Sequence, residues 1–297
     1  MWHMYQVVFR VRSPLHIGWN KVGNVQRTRP YATGRSLWGA LTMRLTRDRA
    51  ATQRRTAHAT DYRKTGDWVH EQLAFTYFYP ALWKEPTNGS LSYIVAWPWK
   101  EPSAGSFAHC FLSSYASTAL TYPAQSATEG TLHEIEFLSP ATIDTGETVY
   151  LVGYLFVHCD MNDHQSSINL ALQRLQVGGE RTYGWGRLEQ QECILCSTMR
   201  LFSDDVEHVD LNNTRPTIRL KGEGRLLAHT RIDHLQAWGE VEPLVGREWQ
   251  AMEAAHNRVG QYVVCNGVCF APGARVVTPA DTLTFKIGTH GVWECCI

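Results

Sequence analysis

Residues 177–188, VGGERTYGWGRL, gather the residue types with which a chain handles a phosphodiester. Four glycines (Gly178, Gly179, Gly184 and Gly186) are interleaved with Arg181, Arg187, Tyr183 and Trp185. Glycine lets backbone N–H groups approach a phosphate closely, and arginine adds charge and forked donors. Tyrosine and tryptophan offer faces on which bases stack. The bland alternative is a glycine-rich turn joining a helix to a strand. No Lys-Ser/Thr follows the glycines, so the segment is not a P-loop. The glycines follow a helix and precede a strand, so it is not a dinucleotide fingerprint either.

A second segment, SPLHIGWNKVGNVQRTRPYATGRSLWGA at 13–40, has related chemistry. Gly34-Arg35-Ser36 opens a helix, with Ser36 as the expected N-cap, and a helix start favours a phosphate. Lys21, Arg27, Arg29 and Arg35 lie close by in sequence. The net charge is zero, yet residues 1–64 hold 13 of the 28 Lys and Arg and only two of the 28 acids, Asp48 and Asp61. The remaining 233 residues carry 15 basic against 26 acidic side chains. Such asymmetry is an argument for a polyanionic partner at one end. The alternative is a solvated basic helix.

Acid–base and metal chemistry find weaker candidates. A metal-independent ribonuclease needs a base near the 2′-OH and an acid near the leaving oxygen. His16 and His58, in or near the basic region, are the runner-up catalytic pair, with packing as the simpler role for His16. Asp160, Asp163 and His164 are close in sequence, but a polar loop ahead of a helix accounts for them, with Asp163 or Ser166 as cap. Cys193-x-x-Cys196 and Cys265-x-x-x-Cys269 could jointly offer four thiolates to zinc. The first pair lies in strand-like sequence that points its thiols to opposite faces, and buried structural thiols are the simpler reading. We therefore expect no metal and no cofactor.

These residues need elements to position them. MYQVVFRVR at 4–12 alternates as a strand, and Ser36–Arg49 has an apolar helical side of Leu37, Leu41, Met43 and Leu45. Residues 50–66 are basic and polar and read as mobile. LAFTYFY, LSYIVAWPW, TLHEIEFL and TVYLVGYLFVH are β-branched or aromatic runs, with an irregular hairpin over 84–106. SSINLALQRLQ at 166–176 reads as a helix running straight into Gly178, and RLEQQECIL as the strand after the loop. This order is the β-α-β-β-α-β pattern of a ferredoxin-like unit with inserted hairpins. Strands near RPTIRLKGEGRLL and CNGVCFAPGARVV, with a helix near 248–258, predict a smaller second domain. The expected boundaries are 1–198 and 199–297, in an α+β protein. No run of about 18 uncharged apolar residues marks a membrane span. The start of the chain lacks the pattern of a signal peptide, so a cytoplasmic setting with reduced thiols is expected.

In their order and separation, three motifs resemble the CRISPR-associated RAMP superfamily. They are SPLHIG at 13–18, ATGRSLWGAL at 32–41 and GGERTYGWGR at 178–187. Gly34-Arg35-Ser36 stands where that family usually has Pro-Gly-Ser. The GGER form is most similar to the type III Cas-five group that caps the guide RNA 5′ handle. GVCFAPGARVV at 267–277 resembles the turn of that group's second domain. The resemblance implies tandem RRM-related, ferredoxin-like domains in a non-catalytic subunit of an effector ribonucleoprotein. Its partners would be the crRNA handle and neighbouring effector subunits, including backbone RAMP proteins. Handle phosphates would meet Arg35, the Gly178 and Gly179 amides and Arg181, while Tyr183 or Trp185 stacks on a base. The alternatives are a repeat-processing endoribonuclease of the same superfamily and a repeating crRNA-backbone subunit.

Overall fold

The computed structural model describes residues 1–85, 93–99, 104–159, 164–202, 205–248 and 262–296. The first 195 residues run β1 (Trp2–Val11), β2 (Gly18–Val22), β3 (Val25–Thr28), α1 (Gly34–Thr52), α2 (Ala59–Gln72), β4 (Leu73–Phe75), β5 (Tyr79–Trp83) and β6 (Tyr93–Val95). They continue with α3 (Ala104–Phe111), β7 (Leu112–Ser117), β8 (His133–Leu138), β9 (Val149–His158), α4 (Gln165–Leu172) and β10 (Leu188–Leu195). Then come β11 (Val206–Asp210), β12 (Thr217–Lys221), β13 (Thr230–Arg231), β14 (Ala237–Trp238) and β15 (Val241–Glu248). The last strands are β16 (Tyr262–Phe270), β17 (Arg275–Val276), β18 (Thr282–Ile287) and β19 (Trp293–Cys296).

The first sheet has the order β10-β1-β9-β5-β6, with β4 also on β9, and its pairs are antiparallel. Of its long strands, the last and the first in sequence thus lie side by side, with the third and second beyond them. Period-two alternation sends Val7, Phe9 and Val11 to one face, under Leu37 and Leu41 of α1 and Ile168 and Leu172 of α4. Trp2 and Met4 go to the other face with Tyr77, Tyr154 and Phe156. There they meet Ile218, Leu220, Phe285 and Trp293 of the C-terminal half. A strand covered on both sides needs an unbroken apolar run, which β9 has in VYLVGYLFV.

The C-terminal strands form a sheet ordered β11-β12-β18-β19-β13-β16-β15, and β2-β3-β8-β7 form a smaller inserted one. Helices and strands in several sheets make this an α+β protein. Residues 249–258, where the sequence suggests a helix, lie outside the described residues, while Glu248 ends β15.

Two local expectations are corrected. Residues 50–66, expected to be mobile, hold the end of α1 and the first eight residues of α2. That helix buries only Thr65, Gly66 and Val69, too little apolar surface to show as a periodic stripe. Gly66 lets it close on α1, where Trp38 Nε1–H donates to the Gly66 carbonyl at 3.0 Å. The other correction concerns α4, which stops at Leu172, so the glycines of the loop do not cap it directly. Leu175 and Val177 instead bury the chain that leads into the loop.

Candidate nucleic-acid interface

The glycine-rich loop is fastened to the SPLHIG turn along its length. Gly179 N–H donates to the His16 carbonyl at 2.9 Å and Gly186 N–H to the Pro14 carbonyl at 2.7 Å. Arg187 N–H donates to Ser13 Oγ at 3.0 Å, and Arg12 N–H to the Arg187 carbonyl at 2.9 Å. Gly178 and Gly186 have φ of +84° and +76°. A Cβ on Gly178 would strike the His16 carbonyl oxygen, and one on Gly186 the Val177 carbonyl oxygen. Glycine is therefore required at both positions by conformation and by close approach. From inside, the Gln176 amide donates to the Arg181 and Trp185 carbonyls, each at 2.9 Å.

This corrects one sequence expectation. The Gly179 amide is engaged within the chain and is not available to a phosphate. What the loop displays is its tip, a single 3₁₀ turn over Arg181–Tyr183. Tyr183 is 80% exposed, and Arg181 and Arg187 are exposed as well. Gly184, at φ +84°, has nothing within 4 Å of where a Cβ would stand. Trp185 turns inward, edge-on to Phe137 at 5.0 Å between centroids. It serves as an anchor more than as a stacking face. Arg181 reaches the α1 flank, with Nη1 3.1 Å from Met43 Sδ.

The basic residues of the N-terminal segment divide into two groups. Lys21 is exposed on β2, and Arg27 is paired at 3.0 Å with Glu136 at the surface of the inserted sheet. Arg29, Gly34 and Arg35 instead face the seam with the C-terminal half. A Cβ on Gly34 would come within 2.5 Å of the His290 carbonyl oxygen, and Arg35 lies against Gly246 of β15. Ser36 is not the N-cap. Thr33 is, and the Ser36 N–H donates to its Oγ1 at 3.3 Å. The start of α1 is thus covered by the turn at 288–291. The charge asymmetry is also blunted in space, because Arg12, Arg27 and Arg29 pair with Glu189, Glu136 and Glu242 from later in the chain.

Arg29 belongs to a buried network that the sequence did not reveal. Its guanidinium donates to both Glu242 oxygens, at 2.8 and 3.0 Å. Glu242 Oε1 also lies 2.7 Å from Nε2 of the fully buried His229, whose Nδ1 is 2.8 Å from the Tyr77 hydroxyl. Burial alone would raise Glu242, but hydrogen bonds from His229 and Arg29 outweigh it and hold the carboxyl at about 2. Burial pushes His229 below its usual value and keeps the ring neutral. With Glu242 ionised, Nε2 carries the ring proton and Nδ1 accepts from Tyr77. Burial likewise raises the Tyr31 phenol to about 12. Arg215 closes the same seam. It donates to the His70 carbonyl at 2.7 Å and the Ile287 carbonyl at 3.2 Å, joining the end of α2 to β18.

The catalytic candidates are kept apart. His16 is buried with Nδ1 2.7 Å from the Glu136 carbonyl oxygen, in a packing role. His58 is exposed at the start of α2, where its backbone N–H donates to Asp61 at 2.9 Å. Asp160 and Asp163 lie outside the described residues. Cys193 and Cys196 sit on or just after β10 of the first sheet, whereas Cys265 and Cys269 lie on β16 of the C-terminal sheet. Among the described residues no group of three or more His, Cys, Asp or Glu side chains could hold a metal ion.

No protein-family model and no curated protein matches the chain. Its fold is similar to chains in three cryo-EM structures. One, from the Type III-B Cmr-beta bound to cognate target RNA and AMPPnP, has TM-score 0.49 and 10% identity, over 92% of this chain and 85% of that one. A chain of the apo Type III-B Cmr-beta gives 0.41 and 11%, over 64% and 96%. A chain of Cmr-beta bound to cognate target RNA gives 0.39 and 10%, over 63% and 96%. Among the described residues, no helix is long and apolar enough to cross a membrane.

Proposed function

We propose that the protein is a non-catalytic RNA-binding subunit of a type III-like CRISPR effector ribonucleoprotein. It holds the crRNA 5′ handle and docks backbone subunits. One observation carries this reading: two of the three motifs behind the RAMP resemblance, SPLHIG and GGERTYGWGR, some 160 residues apart in sequence, form one structure. Backbone hydrogen bonds from Gly179 and Gly186 to His16 and Pro14 bind them together and project Arg181 and Tyr183 outward. We read the first sheet and its helices as a ferredoxin-like unit and assign residues 199–297 to a second domain sharing its core. Phosphates meet Arg181, Arg187 and Lys21, and a base stacks on Tyr183.

The test uses the full chain and RNA carrying the repeat of the host's own array. We expect salt-sensitive binding that Arg181→Ala with Tyr183→Ala reduces at unchanged melting temperature, and no cleavage in EDTA. A cut at a defined site, abolished by His16→Ala or His58→Ala, would establish the endoribonuclease alternative instead.

A further inference from the structure

Trp19 lies on β2, outside the glycine-rich loop, and its placement is unusual. The β2–β3 register steps from Gly18↔Thr28 to Asn20↔Arg27, so Trp19 is the extra residue of a β-bulge. Bulges break pairing to re-aim a side chain, and they recur next to functional sites. Here the indole is turned over Arg29, whose Cζ lies 5.6 Å from the ring centroid. Trp19 nevertheless remains 45% exposed. Among the described residues there are two cation–π contacts, and the other involves Trp2, which is buried.

The cation beneath the ring is itself immobile. Arg29 is gripped by Glu242, its side chain is 12% exposed, and its backbone N–H donates to the Ile17 carbonyl at 2.7 Å. An aromatic ring held on one face by a fixed guanidinium presents its other face without further loss of rotamer freedom. Its neighbours are the exposed Asn20 and Lys21, a polar and cationic rim unsuited to an apolar protein surface. Gly18, beside it, packs on the His16 ring, and the His16 carbonyl holds the glycine-rich loop. The indole therefore stands on the same turn as that loop.

We propose that Trp19 is a stacking platform for one unpaired nucleobase of single-stranded RNA, fixed from behind by the Arg29–Glu242 pair. The inference rests on the RNA-binding reading above and adds a contact to it. Stacking is sequence-tolerant and contributes little to the salt dependence, unlike a phosphate contact.

The experiment measures anisotropy of a labelled random ten-nucleotide single-stranded RNA with the full chain over a salt series. Trp19→Ala should weaken binding about 5- to 150-fold, the range for one lost base–aromatic stack, at an unchanged salt slope. Trp19→Phe should recover most of the affinity, and Trp238→Ala, at an exposed tryptophan on β14, should change nothing. Trp19→Leu keeps an apolar cover on Arg29 without a π-face. It should match Ala in binding while retaining the wild-type melting temperature. Wild-type affinity in the Ala or Leu variant overturns the platform and leaves RNA binding standing. A wild-type chain that does not bind the RNA overturns both.

Discussion

The glycine-rich loop and the Arg29–Glu242–His229 network are built from similar groups and behave in opposite ways. In the loop, glycine and backbone hydrogen bonds do most of the fastening, and Arg181, Tyr183 and Arg187 point to solvent. In the network the side chains do the fastening, between two halves of one core, and hardly any of them reaches solvent. The loop can lose a side chain and keep its shape, because its shape is made of main chain. The network cannot, because each of its charges is compensated only by the others. An arginine of the first kind is available to a ligand, and an arginine of the second kind is part of the fold. Sequence position does not separate them: Arg27 and Arg29 are two residues apart on one strand end, one half-exposed and one buried.

The largest expected effect lies in the network. Arg29→Ala leaves the ionised Glu242 in the seam without its counter-charge, a defect that destabilises by about 3–5 kcal/mol. Urea unfolding followed by tryptophan fluorescence should show the midpoint fall by a corresponding amount. A midpoint within about 0.5 kcal/mol of wild type would place Arg29 in the same class as the loop arginines.

Acid should act on this seam before it acts on the loop. Burial, with help from Arg35 and His70, lowers His290 to about 4, and burial lowers His229 as well. A histidine depressed in the folded state is protonated first in the unfolded one. Its contribution is therefore complete above about pH 6.5 and is lost as pH falls toward the folded value. For His290 the loss between pH 6.5 and 4 amounts to about 3 kcal/mol. Glu242, held at about 2, loses its contribution as pH falls from about 4.5 toward 2. Asn tolerates the positive φ of residue 290, so His290→Asn should flatten the acid limb of melting temperature against pH. An unchanged limb would refute the assignment.

What could be read from sequence follows the same division. β1, α1, β9 and β10 declare themselves by alternation or an apolar stripe, because each packs against its neighbours through its own periodic residues. The loop was legible because glycine at a positive φ is a local requirement. α2 was not, since its contact with α1 runs through Gly66 and Trp38 rather than through an apolar face. Nor was the network, whose members Arg29, Tyr77, His229 and Glu242 are brought together only by folding. The free amide expected of Gly179 failed for a related reason, because its acceptor, His16, lies 163 residues earlier.

Gly178 lies between the two regimes. An Ala there must adopt φ near +84° and displace the His16 carbonyl, so we expect a loss of about 1–3 kcal/mol. Gly184→Ala meets the same φ but open space, and should cost only the conformational part, about 1 kcal/mol. Equal melting temperatures for the two variants would mean that the contact with His16 contributes nothing.

The smallest effect on stability, and the most informative on binding, belongs to Arg181. It is exposed, and its guanidinium touches the sulfur of Met43, so Arg181→Ala should leave stability within about 0.5 kcal/mol of wild type. If it meets a phosphate, single-stranded RNA binding should weaken, and the slope of log K against log[salt] should shrink by about 0.7. Tyr183→Ala, one stacking face lost at an 80% exposed site, should weaken binding at an unchanged slope. The two substitutions thus separate charge from stacking within one three-residue turn. Unchanged affinity in both, measured by anisotropy at two or more salt concentrations, would mean that the loop fastens the SPLHIG turn and does nothing more. The RNA would then have to be held elsewhere on the protein.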